Sequence, residues 1–180
     1  MYIYCYFFLN NFILYIFNTF INLVPFHLLR LIFYKLVISV GKQSSILMHV
    51  KILSLNKIKI GSNTVINQGV ILDGRGGDLI IGNNVDIAPN VSIYTTDHDC
   101  DCDYHLPRNR PVIIEDNVWV ASNAIVLPGV TISKGSVIAA GSIVTKSTEP
   151  LSINAGNPAR FIRIRESKIL YKHLYRPWFM

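Results

Sequence analysis

From Ile114 onward an aliphatic residue returns at every sixth position, through Val120, Val126, Ile132, Ile138 and Val144. The same beat runs through Ile60, Ile66 and Leu72, and again through Ile81, Ile87 and Ile93. Between these positions the residues are mostly small, polar or glycine, as in VASNAI and ISKGSV. An amphipathic helix repeats at about 3.6 residues and a half-buried strand at about 2, so neither accounts for a sustained six. A hexapeptide repeat predicts a parallel β-helix, in which short strands wind round a prism and stack coil on coil.

Three hexads per coil place Ile60, Ile81, Ile114 and Ile132 on the first face. Ile66, Ile87, Val120 and Ile138 stack on the second, and Leu72, Ile93, Val126 and Val144 on the third. β-Branched aliphatics and leucine suit a narrow buried prism. The fifth position of each hexad, as at Thr64, Val70, Val118, Ala124 and Ser136, is small or β-branched and is expected to point inward. The fourth carries Asn63, Asn84, Asn90, Asn117, Asn123, Gly129, Gly135 and Gly141, residue types that tolerate the left-handed backbone of a sharp corner. The pattern does not supply the hand of the coil.

Two stretches break the beat: DGRGGD with its approach to Ile81 (73–80), and DHDCDCDYHLPRNRPVI (97–113). Both leave from the end of the third face on consecutive coils, so the layout predicts that they lie side by side. Loops leaving a solenoid at one edge usually mark its working face.

Residues 1–29 carry no charged side chain, and the first charge is Arg30. The run is long enough to cross a bilayer. However, Asn11, Asn18 and Asn22 would share one stripe of a helix, which favours a helix lying in the membrane interface or packed on protein. It also lacks the basic start and small-residue cleavage site of a signal peptide. After Pro25, PFHLLRLIFYKLVI reads as a second amphipathic helix with Arg30 and Lys35 on its wetter side. Both helices are expected to cap the open end of the solenoid, whose last coil exposes unpaired strand edges, and to touch the membrane peripherally through residues 1–40. The expected units are 1–45 for these helices, 46–157 for the β-helix, and 158–180 for a basic C-terminal tail or helix.

Composition sharpens this only in part. A chain of 180 residues, 51% hydrophobic and 16% charged, can bury a substantial core. The net charge of +6 suggests an anionic partner. Nucleic acid is set aside, because the basic residues do not line one helix or loop face; a phosphorylated cofactor or an anionic membrane fits as well. Cys5, Cys100 and Cys102 make no disulfide framework and are compatible with a reducing, cytoplasmic setting, on the inner face of the cell membrane if the helices touch it.

His98, in YTTDHD, is the sharpest chemical candidate. It sits at the mouth of the longer loop, where a neutral imidazole could take a proton from an attacking hydroxyl. Asp97, Asp99, Asp101 and Asp103 with Cys100 and Cys102 raise a metal-site alternative, but the one-residue Cys spacing and the lack of a second ligand cluster argue against it, and no metal is expected. A hexapeptide carbonic anhydrase would need histidines on neighbouring coils, whereas His98 and His105 share one loop.

NVDIAPNVSIYTTDHD, PVIIEDNVWVASNAIVLPGVTISKGSVIAAGSIVTK and INAGNPARFIRIR resemble bacterial hexapeptide-repeat acyltransferases, among them the maltose and galactoside O-acetyltransferases and the capsule and lipopolysaccharide O-acetyltransferases. The resemblance covers about residues 24–165. It implies an all-β, left-handed parallel β-helix, a homotrimer, and acetyl-CoA in a cleft between subunits. It puts the catalytic histidine at His98 and donor contacts at Ser122, Ala140, Thr145, Lys146, Arg160 and Arg163. Hydroxyl and backbone groups along a coil edge suit a pantetheine arm, and basic side chains suit nucleotide phosphates. Asn67, Asp73 and Trp119 are the acceptor-side candidates. The sequence departs from the usual glycine at Glu115, Ala121, Ser133 and Ala139. The function so expected is acetyl transfer from acetyl-CoA to a hydroxyl of a small-molecule or glycan acceptor, in surface polysaccharide synthesis. A small amine, amino acid or xenobiotic acceptor, or a non-enzymatic scaffold, are the alternatives.

Overall fold

The computed structural model describes residues 2–179, apart from the side chains of residues 2, 3, 5 and 6, so the expectation for Cys5 lies outside the described residues. The chain opens with helix α1 (Tyr2–Thr19), a short 3-10 turn at Ile21–Leu23, and helix α2 (His27–Val37). It then winds into a parallel β-helix of two- and three-residue strands beginning at Ser39–Val40, upstream of the boundary expected at residue 46. The earlier start reflects the hexads at Val40, Ile46 and Ile52, which form a first coil below the beat counted from Ile60.

The three faces are three parallel sheets, and the register is the one that counting by six predicts. Ile60 pairs with Ile81, Ile81 with Ile114 and Ile114 with Ile132 on the first face. Ile66, Ile87, Val120 and Ile138 succeed one another on the second, and Leu72, Ile93, Val126 and Val144 on the third. These twelve side chains are at most 3% exposed, so each places nearly its whole apolar area in the prism core, about 1.5–3 kcal/mol apiece. The fifth-position residues are buried with them, Thr64, Ser136 and Ser142 included. All eight of the asparagines and glycines named at fourth positions have positive φ. The coils stack so closely that a Cβ on Gly61 would lie 2.5 Å from the Gly82 carbonyl oxygen.

The two helices cover the first coil, but with their polar residues inward. Arg30 is fully buried, a correction to its expected place on the wet side of α2. Its Nε donates to the Ile46 carbonyl at 3.1 Å, and Nη1 donates to the carbonyl of Val24. The buried Tyr34 hydroxyl donates to the Val50 carbonyl at 2.8 Å. Asn18 clasps Ile52, its amide donating to the carbonyl at 2.8 Å while its oxygen accepts from the backbone N–H at 3.0 Å. The reason is physical: the end of a β-helix presents unpaired backbone groups, and a buried polar group is costly unless satisfied. Asn18 of α1 therefore turns toward protein, Asn22 is buried in the 3-10 turn that follows, and Leu28, Leu29, Ile32 and Leu36 of α2 are left exposed. No helix among the described residues is long and apolar enough to cross a membrane.

At the far end the solenoid closes with an antiparallel hairpin, Ser152–Gly156 against Ala159–Ile164. Beyond Ile164 the chain is an extended tail rather than a helix. It returns along the corner between the first two faces, where Asn84 donates to the Tyr171 carbonyl at 3.0 Å and accepts from the His173 N–H at 2.8 Å. The same asparagines that turn the corner thus use their side chains to seat the tail. It reaches the first coil, where the Ser45 hydroxyl donates to the Tyr175 carbonyl and Phe179 bridges to Phe26.

Candidate active site

The longer interruption is a β-hairpin, Thr96–His98 paired antiparallel with Pro107–Asn109. Its base is closed by the Arg110 N–H donating to the Thr95 carbonyl at 2.9 Å and by the Thr96 hydroxyl donating to Asn109 at 2.8 Å. The Gly-rich turn lies against that base: the Gly76 N–H donates to the Thr95 hydroxyl at 3.0 Å, and a Cβ on Gly76 would meet the Thr95 carbonyl oxygen at 2.2 Å. The two breaks in the repeat are therefore packed together.

Along the hairpin strand, side chains alternate. Asp97 turns to Arg108, which grips it through Nε and Nη2 at 2.9 and 2.8 Å. The Arg108 guanidinium holds the Asp97 carboxyl below the usual carboxylate range. Asp97 is thus spent on the hairpin rather than on His98. His98 is exposed, its Nδ1 lies 2.8 Å from the His105 carbonyl oxygen, and its ring stacks on that of His105 at 4.1 Å and 1°. A carbonyl only accepts, so the contact puts a proton on Nδ1, and in the neutral ring Nε2 is then the nitrogen with the lone pair. The loop tip is bound to itself, with the His105 N–H donating to the Cys102 carbonyl at 2.9 Å. Backbone N–H groups of Leu106, Tyr104 and His105 pull the Cys102 thiol below its ordinary value. Asp99, Cys100 and Asp101 bring ligand atoms within 4.8 Å of one another, but on an accessible tip with no imidazole among them.

Asp73 is fully buried at the end of the third face, its two oxygens held by Arg75 Nε and Nη2 at 3.0 and 3.1 Å and by the Arg75 N–H at 2.9 Å. The group this turn offers to solvent is Arg75, whose side chain is 56% exposed. Sequence reasoning passed over Arg75; its place two residues after Asp73 in a glycine turn was the available signal.

The other expected residues fall elsewhere on the prism. Asn67 and Trp119 lie on the second face. Trp119 stands in register with Asp86, and Asn67 donates to that carboxylate at 3.0 Å. Burial pushes the Asp86 carboxyl up. Val65, Asn67 and Asp86 line a cavity of about 260 Å³ completed by His173 and Tyr175 of the tail, two residues with no motif to announce them. Ser122 and Ala140 stack at the next corner, where the Gly141 N–H donates to the Ser122 carbonyl at 2.9 Å. Lys146 and Arg160 line one cavity of about 300 Å³ with Thr148, Asn154 and Phe161 at the far end of the solenoid. Thr145 is exposed beside Lys146, and Arg163 lies outside that cavity. Lys146 comes just after the third face at Val144, the same edge from which the His98 hairpin leaves two coils earlier. Within this chain His98 shares an edge with Lys146, while Asn67 and Trp119 occupy another face.

Comparison with known proteins agrees with this architecture. Residues 111–146 match the family described as bacterial transferase hexapeptide (six repeats). A maltose O-acetyltransferase structure from Clostridium difficile 630 is 33% identical, with a TM-score of 0.76 over 87% of this chain and 84% of that one. A hexapeptide-repeat acetyltransferase from Vibrio cholerae O1 biovar eltor, complexed with acetyl coenzyme A, is 31% identical, with a TM-score of 0.72 over 77% of each chain. The galactoside O-acetyltransferase of Escherichia coli K12 is 41% identical over 126 residues, 67% of this chain and 59% of that protein. The chain spans about half the length of the curated relatives it matches, for example 56%, 45% and 59% of three of them. With the repeat, the three-sheet prism and a shared fold over most of both chains, this protein belongs to the hexapeptide-repeat acetyltransferases.

Proposed function

We propose that this protein transfers an acetyl group from acetyl-CoA to a hydroxyl of a sugar, with His98 as general base. The observation that carries the reading is the His98 hydrogen bond to the His105 carbonyl, which makes Nε2 the basic nitrogen of the neutral ring at an accessible ledge. In the forward step Nε2 takes the hydroxyl proton as the sugar oxygen bonds to the thioester carbonyl carbon. The tetrahedral adduct then expels the CoA thiolate, which receives the proton back from the imidazolium. Atoms balance without a metal or redox partner.

Lys146 and Arg160 are the assigned phosphate contacts, with Thr145 and Arg163 nearby and Ser122 and Ala140 along the pantetheine path. Asn67 and Trp119 are assigned to the acceptor, and Asp73 acts through Arg75. Because His98 and Trp119 lie on different faces of one prism, the reading places the working site between neighbouring copies, as a homotrimer provides. A glycan acceptor in capsule or lipopolysaccharide synthesis, made in the cytoplasm, is the substrate class we assign.

The test is thiol release from acetyl-CoA against a panel of sugars, nucleotide sugars and amines. Turnover with sugars that falls about a hundredfold or more in His98→Ala supports the reading. Turnover only with amines, unchanged turnover in the variant, or no CoA binding would each overturn it.

A further inference from the structure

The helical end of the prism has an outer surface unlike that of an ordinary capped solenoid. Because Arg30, Tyr34 and Asn18 are spent on the backbone of the first coil, the helices turn their apolar residues outward. Phe8 and Phe12 are 74% and 51% exposed and stack on one another, and Tyr15 is 58% exposed beyond them. On α2, Leu29, Ile32 and Leu36 are also exposed. The tail adds Trp178, 87% exposed, and Phe179 packs on Phe26 at 5.4 Å between ring centroids. Between Phe26, Leu28, Leu29 and Trp178 runs a groove of about 480 Å³, with Arg176 in its wall. Exposed apolar surface of this extent at one end of a solenoid marks an interaction site.

Charge selects the occupant. Residues 1–72 contain six basic residues (Arg30, Lys35, Lys42, Lys51, Lys57 and Lys59) and no acidic one; the first carboxylate is Asp73. Lys35, Lys42, Lys51 and Arg176 are all exposed on the helices, the first coil or the tail beside them. A second copy docking face to face would bring these positive charges together without a carboxylate to pair them. An anionic lipid surface complements both the apolar face and the charge.

We propose that α1, α2 and the Trp178–Phe179 end of the tail form one docking surface for an anionic bilayer. The aromatics and leucines enter the headgroup boundary, and Lys35 and Arg176 pair with lipid phosphates. The helices lie on the membrane rather than cross it. The Lys146–Arg160 cavity, at the opposite end of the solenoid, then points away into water. This inference does not depend on the acetyl-transfer reading.

The test is sedimentation of the full-length protein with vesicles of phosphatidylcholine alone or mixed equally with phosphatidylglycerol. Binding to the mixed vesicles that weakens in salt is expected. Lys35→Glu with Arg176→Glu should weaken it by roughly thirtyfold or more, given the worth of each basic residue at such a surface. Phe8→Ser, Phe12→Ser and Leu29→Ser together should abolish it, while circular dichroism and thiol release in solution stay unchanged. Equal binding to both vesicle types, or no binding to either, would overturn the proposal. So would an oligomer that dissociates in the serine variant while the parent ignores vesicles, since the face would then belong to a second copy.

Discussion

The Nδ1 atom of His98 lies 2.8 Å from the carbonyl oxygen of His105, and the two rings stack at 4.1 Å. The first contact sets the tautomer and the second limits ring rotation. Only the first uses a backbone atom, so the two can be separated by mutation. His105→Ala keeps the carbonyl and should lower kcat by less than about tenfold, whereas loss of the base itself in His98→Ala should cost about a hundredfold or more. Steady-state kinetics on both variants, with circular dichroism as the folding control, makes the comparison.

Arg108 and Asp97 hold the hairpin that carries His98. Arg108→Ala should lower kcat by about tenfold to a hundredfold through misplacement of the base, yet change global stability by less than about 1 kcal/mol, because this pair is only partly buried. The sign of the pH effect is set by the lowered Asp97 pKa. The clasp is complete above the ordinary carboxylate range near about 3.9 and is lost as pH falls through the lower folded value. Faster amide exchange at Asp99, whose N–H donates to the Leu106 carbonyl at 3.0 Å, would report it.

Lys146 lines the far-end cavity without touching His98. Lys146→Ala should raise the KM for acetyl-CoA about tenfold and leave kcat nearly unchanged, as expected for a contact equal in ground and transition states. A fall in kcat with constant KM would move Lys146 out of the donor site.

The cap supplies a stability test. Arg30→Met leaves the Ile46 and Val24 carbonyls unpaired, at about 1–3 kcal/mol each, measurable by urea unfolding. Beside it, burial and then the Arg30 and Arg176 charges lower the His27 pKa from 6.5 to about 4. A depressed folded pKa means that stability is fully present above 6.5 and is lost as pH falls through about 4. His27→Leu should flatten that dependence, and since Nε2 has no hydrogen-bond partner, it should cost little at neutral pH.

The hexad frame was legible because a prism this narrow accepts an aliphatic residue at one inward position of each repeat and a small or β-branched one at the other. Ile60, Val120 and Val144 therefore announce their own places, as do the corner asparagines. The adjacency of the Gly-rich turn and the hairpin came from counting alone. Arg30 was misread because a helix pattern assigns charge to water, and only the tertiary setting shows the carbonyls of the first coil that need a donor. Asp73 was legible as a special position but not as a buried partner of Arg75. His173 and Tyr175 carry no local signal; long-range seating of the tail on Asn63 and Asn84 alone brings them to Asn67.

By itself, then, the sequence determined the solenoid, its three faces, its register and the two loops at one edge, since each depends on side-chain size at a fixed local period. The tertiary structure alone decided which way the helices face, where the tail runs, which carboxylates are occupied by arginines and which nitrogen of His98 holds the proton. Those outcomes depend on backbone groups left unpaired at the ends and loops of the prism, and such groups are satisfied by whichever side chain the fold brings within reach.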